Sequence, residues 1–123
     1  MKKQIATITL MALLAACGGE PKNEKTETVS DPSSNPDYQK GVELIAKSDC
    51  LTCHKINDKL IGPAYKDVAN KYENNEENVN MLATKIMKGG KDVWGPIPMS
   101  EHRNISEADA KQMVKYILLL RKK

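Results

Sequence analysis

Five consecutive residues carry the most chemistry in this chain: Cys50, Leu51, Thr52, Cys53 and His54, a C-x-x-C-H run. Two thiols three positions apart lie on one side of a helical turn, so each can form a thioether to one vinyl group of a haem. The adjacent imidazole then falls at the iron. The spacing reads as covalent attachment of one c-type haem, with Cys50 and Cys53 holding the cofactor and His54 its iron. Two other uses of such a pair fit less well. A redox C-x-x-C of the thioredoxin kind opens a helix after a strand in a βαβ pattern, whereas here the run follows a helical pattern. A structural zinc site needs four ligands, and the folded part of the chain offers Cys50, Cys53, His54 and His102, two of them adjacent in sequence.

The group on the other face of the iron decides between an electron carrier and a reactive haem. Met87 and Met113 fall on helical apolar stripes and read as core packing, and Met81 lies beside such a stripe. Met99 stands apart, between Pro98 and Ser100 in a loop stiffened further by Pro96. A loop held by prolines presents its thioether at a fixed place, and a soft sulfur ligand favours reduced iron and raises the potential. His102 is the rival; its charged neighbours Glu101 and Arg103 read as a solvated stretch. Met99 is therefore expected as the second metal ligand.

These residues must be positioned by helices, because helical periodicity recurs and sustained strand alternation does not. The first helix presents Tyr38, Gly41, Val42, Ile45 and Ala46 on one face, with Asn35 as N-cap and Pro36 in the first turn, and it leads into Cys50. A short second helix follows Gly62 and Pro63, with Tyr65, Val68, Ala69 and Tyr72 on one side. The third carries Val79, Leu82, Ala83, Ile86 and Met87 and is stopped by Gly89 and Gly90. A loop containing Met99 runs through Asn104. The last helix is capped by Ser106, has Glu107 and Asp109 where the dipole favours anions, and turns Ala110, Met113, Val114, Ile117 and Leu118 to the core. The expected fold is all-α, about four helices around one haem.

The chain has 123 residues, no Phe, one Trp and four Tyr, so clustered aromatic rings cannot build the core and a cofactor is a candidate to fill it. A formal charge of +3 excludes a strongly electrostatic nucleic-acid binder. The three cysteines cannot form an even disulfide framework. The third of them, Cys17, closes an N-terminal pattern: Lys2 and Lys3, an apolar stretch over residues 5–16, then Leu14, Ala15, Ala16 and Cys17. That stretch is too short to span a bilayer and suits an export signal. Its end resembles the lipobox of bacterial lipoproteins, in which the cysteine is lipidated and becomes the new N-terminus. Two acyl chains would anchor the protein stably. Residues 18–36 hold Val29 as their one large apolar side chain, and through Asp37 the acids Glu20, Glu24, Glu27, Asp31 and Asp37 outnumber Lys22 and Lys25. Such a segment cannot form a core. The expected organisation is a signal peptide over 1–16, a lipidated cysteine and flexible linker over 17–37, and a folded domain over 38–123, more basic than the chain as a whole.

From Tyr38 to Arg121 the chain resembles a class I monohaem cytochrome c of the bacterial c-551 type. The resemblance rests, in order, on Cys50-Leu-Thr-Cys53-His54, on Ile61-Gly-Pro-Ala-Tyr-Lys-Asp-Val-Ala69 and on Val93-Trp-Gly-Pro-Ile-Pro-Met99. It implies that the Pro63 carbonyl accepts a hydrogen bond from His54 and fixes its tautomer. It implies further that Trp94 and Lys85 pair with a haem propionate, that Asn104 supports the Met99 sulfur, and that Gly41 and Ile45 pack against Tyr116 and Ile117. Two residues depart from the family pattern: Asp92 replaces a Gly, and Ser100 replaces the Pro that commonly follows the methionine. Neither removes a ligand. The expectation is a non-enzymatic, monomeric, membrane-tethered electron carrier outside the cytoplasm. It would exchange one electron at a time with redox proteins of a respiratory chain, steered by lysines, with no part played by nucleic acid. Its rivals are a catalytic or ligand-sensing haem, in which Met99 gives way, and a relay subunit fixed within a larger complex.

Overall fold

Three of the four α-helices begin where a short polar side chain satisfies a free N–H group of the first turn. In the computed structural model, which describes residues 31–122, α1 runs Pro36–Ala46 with the Asn35 side chain accepting from the Asp37 N–H. The α3 helix (Glu76–Lys88) is capped in the same way by Asn75, and α4 (Glu107–Leu119) by Ser106. The short α2 (Tyr65–Lys71) starts after Pro63 without a side-chain cap. Gly89, at φ 76°, ends α3 in a conformation that glycine adopts without strain. Cys50–Thr52 form a 3-10 turn, and another spans Pro32–Ser34. Among the described residues there is no strand beyond an isolated bridge between Gly90 and Met99.

The apolar faces explain the assembly. α4 touches all three other helices, and it buries Ala110, Met113, Val114, Tyr116, Ile117 and Leu118. α3 contributes Val79, Leu82, Ala83 and Ile86, and α2 contributes Tyr65, Val68 and Ala69. α1 buries only Gly41 and Ile45, so its stripe is narrower than its periodicity suggests: Val42 and Ala46 are exposed. The helix lies on the outside and has α4 as its main neighbour. Gly41 is needed there, since a Cβ would collide with the Tyr116 Cβ and come within 2.9 Å of the Gln112 carbonyl oxygen. Tyr38 completes the contact, edge-on to Tyr116 with ring centroids 4.9 Å apart. The Gln112 side chain donates to the Asp37 carboxylate at 2.9 Å and closes the N-terminal end of α1 onto α4.

No helix among the described residues is long and apolar enough to cross a membrane. The expected export segment and the lipid-bearing Cys17 lie outside the described residues.

Candidate functional site

The 3-10 turn brings Cys50 and Cys53 to the wall of a cavity of about 340 Å³, within the range of roughly 300–1,000 Å³ usual for ligand pockets. His54 follows on the same wall. The two thiols are not joined in a disulfide. Burial first, and then the charge of Asp49, push the Cys50 thiol above the ordinary cysteine value. That is the reverse of a redox C-x-x-C, whose thiolate is favoured. Among the described residues no three His, Cys, Asp or Glu side chains converge as a metal cluster.

The imidazole of His54 is held from several sides. Its Nδ1 lies 2.8 Å from the Pro63 carbonyl oxygen. A carbonyl only accepts, so Nδ1 carries a proton, and in the neutral ring the lone pair is on Nε2. Tyr65 stacks on the ring at 5.4 Å between centroids and 21° between planes. Gly62 meets the ring edge so closely that a Cβ there would overlap it. The chain between is tied down by Gly62 N–H to the Cys53 carbonyl at 2.8 Å and by Tyr65 N–H to the Lys55 carbonyl at 2.9 Å. Burial, followed by the neighbouring Cys50 and Tyr116, keeps the Tyr65 hydroxyl protonated well above the ordinary tyrosine range.

The loop after α3 supplies the rest. Met99 is half-buried and lines the same cavity. Its backbone is pinned by two bonds to Gly90, Met99 N–H donating at 2.7 Å and Gly90 N–H at 3.3 Å. Trp94 and Lys85 also line the cavity. Trp94 carries the Lys71 ammonium over its ring at 5.6 Å, and the same ammonium lies 5.8 Å from the Tyr72 ring centroid, so α2 reaches across to the loop through a cation. Asn104 is exposed, and among the described residues it donates no hydrogen bond to the Met99 sulfur. His102 has both ring nitrogens occupied, Nδ1 at 3.2 Å from the Ile86 carbonyl and Nε2 at 3.2 Å from an Asp49 carboxylate oxygen.

The cavity fits a haem by the chemistry of its walls. Ile45, Val68, Leu82, Ile86, Val114 and Ile117 give it an apolar interior. Two free thiols, an imidazole nitrogen and a thioether sulfur stand at its edge, and an indole and an ammonium are available for acid groups. From the sequence Tyr65 is expected only on a helical core face, and Gly62 is not expected as a contact of the imidazole. The Gly-Pro step eight residues after His54 is the signal for Gly62. Nothing local marks the stack of Tyr65 or the reach of Asp49 to His102, because both depend on how distant segments meet.

Comparison with known proteins gives the same picture. Residues 38–121 match the cytochrome c family. The chain is 42% identical over 83 residues to cytochrome c-552 of Nitrosomonas europaea, covering 68% of this chain and 81% of that one. It is 43% identical over 79 residues to cytochrome c-552 of Hydrogenobacter thermophilus, covering 64% and 80%. The crystal structure of wild-type Nitrosomonas europaea cytochrome c552 superposes with a TM-score of 0.61 at 43% identity, over 64% of this chain and 98% of that one. The chain therefore belongs to the cytochrome c family, has its small helical fold and its covalently bound haem c with iron, and is an electron-transfer haem protein.

Proposed function

We propose that this protein is a one-electron carrier whose haem is joined to Cys50 and Cys53 by thioethers and ligated by His54 and Met99. The observation that carries the reading is the His54 imidazole, proton-fixed on Nδ1 by the Pro63 carbonyl at 2.8 Å and left with a free Nε2 at a cavity that Met99 also lines. When bound, the haem supplies a single-electron couple at its iron. The chain's own residues do the rest. Pro63 and Gly62 hold the imidazole in one orientation, Tyr65 covers its face, and the aliphatic walls exclude water. The thioether of Met99 is a soft donor and favours the reduced state. Trp94 and Lys85, which line the same cavity, would offer an indole N–H and an ammonium to the propionates. His102, held by Ile86 and Asp49, has no free nitrogen for the iron, which supports Met99 over it.

One electron enters from a donor protein and leaves to an acceptor, with ligands unchanged. Exchange would take place at the mouth of the cavity, where Leu60, Ile61, Val93 and Ile97 are 43–62% exposed beside Lys59 and Lys91. A small apolar rim with cations suits brief, salt-sensitive docking to acidic redox partners. The sequence before the described residues supports export, lipidation at Cys17 and a flexible tether, and so a site of action on the outer side of a membrane within a respiratory chain. We read the carrier as a monomer.

The test is a redox titration of the purified holoprotein. One electron per chain, reversible uptake and no consumption of small-molecule substrates are expected. Steady turnover of a small molecule at the iron would overturn the carrier reading.

A further inference from the structure

His102 lies on the loop that follows Met99, half-buried, with Asp49 across from it 76% exposed. Its ring joins two other parts of the fold. Nδ1 faces the Ile86 carbonyl oxygen of α3 at 3.2 Å, and Nε2 faces an Asp49 carboxylate oxygen at 3.2 Å, one residue before Cys50. Its backbone N–H donates to the same Ile86 carbonyl at 3.1 Å. Both oxygens are acceptors, so a ring nitrogen that bonds to either must be the donor. The neighbouring charges do not compete, since Arg103 and Glu101 pair with each other at 2.9 Å. Among the described residues, this contact alone joins the loop over residues 91–105 to the attachment turn by hydrogen bond or ion pair. The bonds between Met99 and Gly90 fasten the loop only to its own base.

We infer that His102 is a positioning residue: with Asp49 it clasps the loop that carries Met99 to the turn that carries Cys50, and so keeps the Met99 thioether at the cavity. The inference rests on the reading of Met99 as a metal ligand. It explains how this loop is held although Ser100 stands where a third proline would stiffen it. A histidine near the site thus serves by being unavailable to the iron.

The experiment is a double-mutant cycle on the ferric holoprotein with Asp49→Ala, His102→Ala and the pair, using imidazole as the probe. Exogenous imidazole binds only when Met99 leaves, so its apparent affinity reports how often the loop opens. Each single variant should bind imidazole about three- to ten-fold more tightly, the range expected for one lost hydrogen bond at a partly exposed site. The double variant should go no further than the singles. Asp49 is exposed, so its variant keeps the fold, and a denaturant midpoint close to wild type separates loop opening from global loss of stability. Unchanged affinity in Asp49→Ala, or effects that add, would overturn the clasp. If the wild-type ferric protein lacks the weak far-red methionine-to-iron band, the ligand reading fails instead. The clasp is then judged by amide hydrogen exchange at His102, which Asp49→Ala accelerates if the clasp exists and leaves unchanged if it does not.

Discussion

Asp92 adopts φ 73°, a left-handed backbone that L-residues with a Cβ enter at a cost, and its N–H closes the turn onto the Gly95 carbonyl at 3.2 Å. The turn needs that conformation to swing Trp94 and Met99 back toward the cavity. Asp92→Gly should therefore raise the unfolding free energy by about 1 kcal/mol, read as a higher denaturant midpoint with the haem spectrum unchanged. A lower midpoint would mean that the Asp92 side chain itself stabilises the loop. The position was legible beforehand as a departure from the glycine of the resembled family, and the C-x-x-C-H run announced its own chemistry. Asp49 was not legible. Its partner His102 lies 53 positions away, and charged neighbours on both sides made that histidine look solvated. Such pairs are set by the meeting of loops and leave no periodic trace.

The helices were the easier part to read, because capping and apolar spacing are local. Asn35 and Ser106 accept from first-turn N–H groups as expected, and Asn75 does the same for α3, a cap not among those expected. The buried faces of α3 and α4 follow the expected residues except Met87, which is half-buried. α1 differed at Val42 and Ala46, where a helix packed chiefly on one neighbour leaves the flank of its stripe in solvent. Its contact with α4 depends on Gly41. In Gly41→Ala the intrinsic helix preference gains about 1 kcal/mol, but overpacking against the Tyr116 Cβ and the Gln112 carbonyl costs up to roughly 3 kcal/mol. Neither obstacle can swing aside, since one is anchored at Cα and the other is backbone. The steric term wins, and a net loss of about 2 kcal/mol in chemical denaturation is expected. A neutral or stabilising result would show that the two helices can separate slightly at no cost.

At the scale of the whole molecule, a chain without Phe surrounds its cavity with aliphatic side chains from α1 to α4, so the haem completes the core as well as providing the function. Replacing both Cys50 and Cys53 by Ala should leave a chain that loses most of its helical circular dichroism at neutral pH when purified without haem. A fully helical product would show that the helices close over the cavity unaided. The same dependence explains why the shape of the site could not be read from periodicity: the stripes identify which faces are buried, while the space between them is set by a group absent from the sequence. On the proposed function this cavity holds a covalent haem between His54 and Met99. The most direct measurement is the absorption spectrum of the purified holoprotein, oxidised and reduced, after acid–acetone extraction has shown whether the haem remains on the chain. Retained haem, a sharp low-spin α band on reduction and the far-red methionine-to-iron band on oxidation are predicted. Extractable haem, a high-spin iron or a missing far-red band would contradict it.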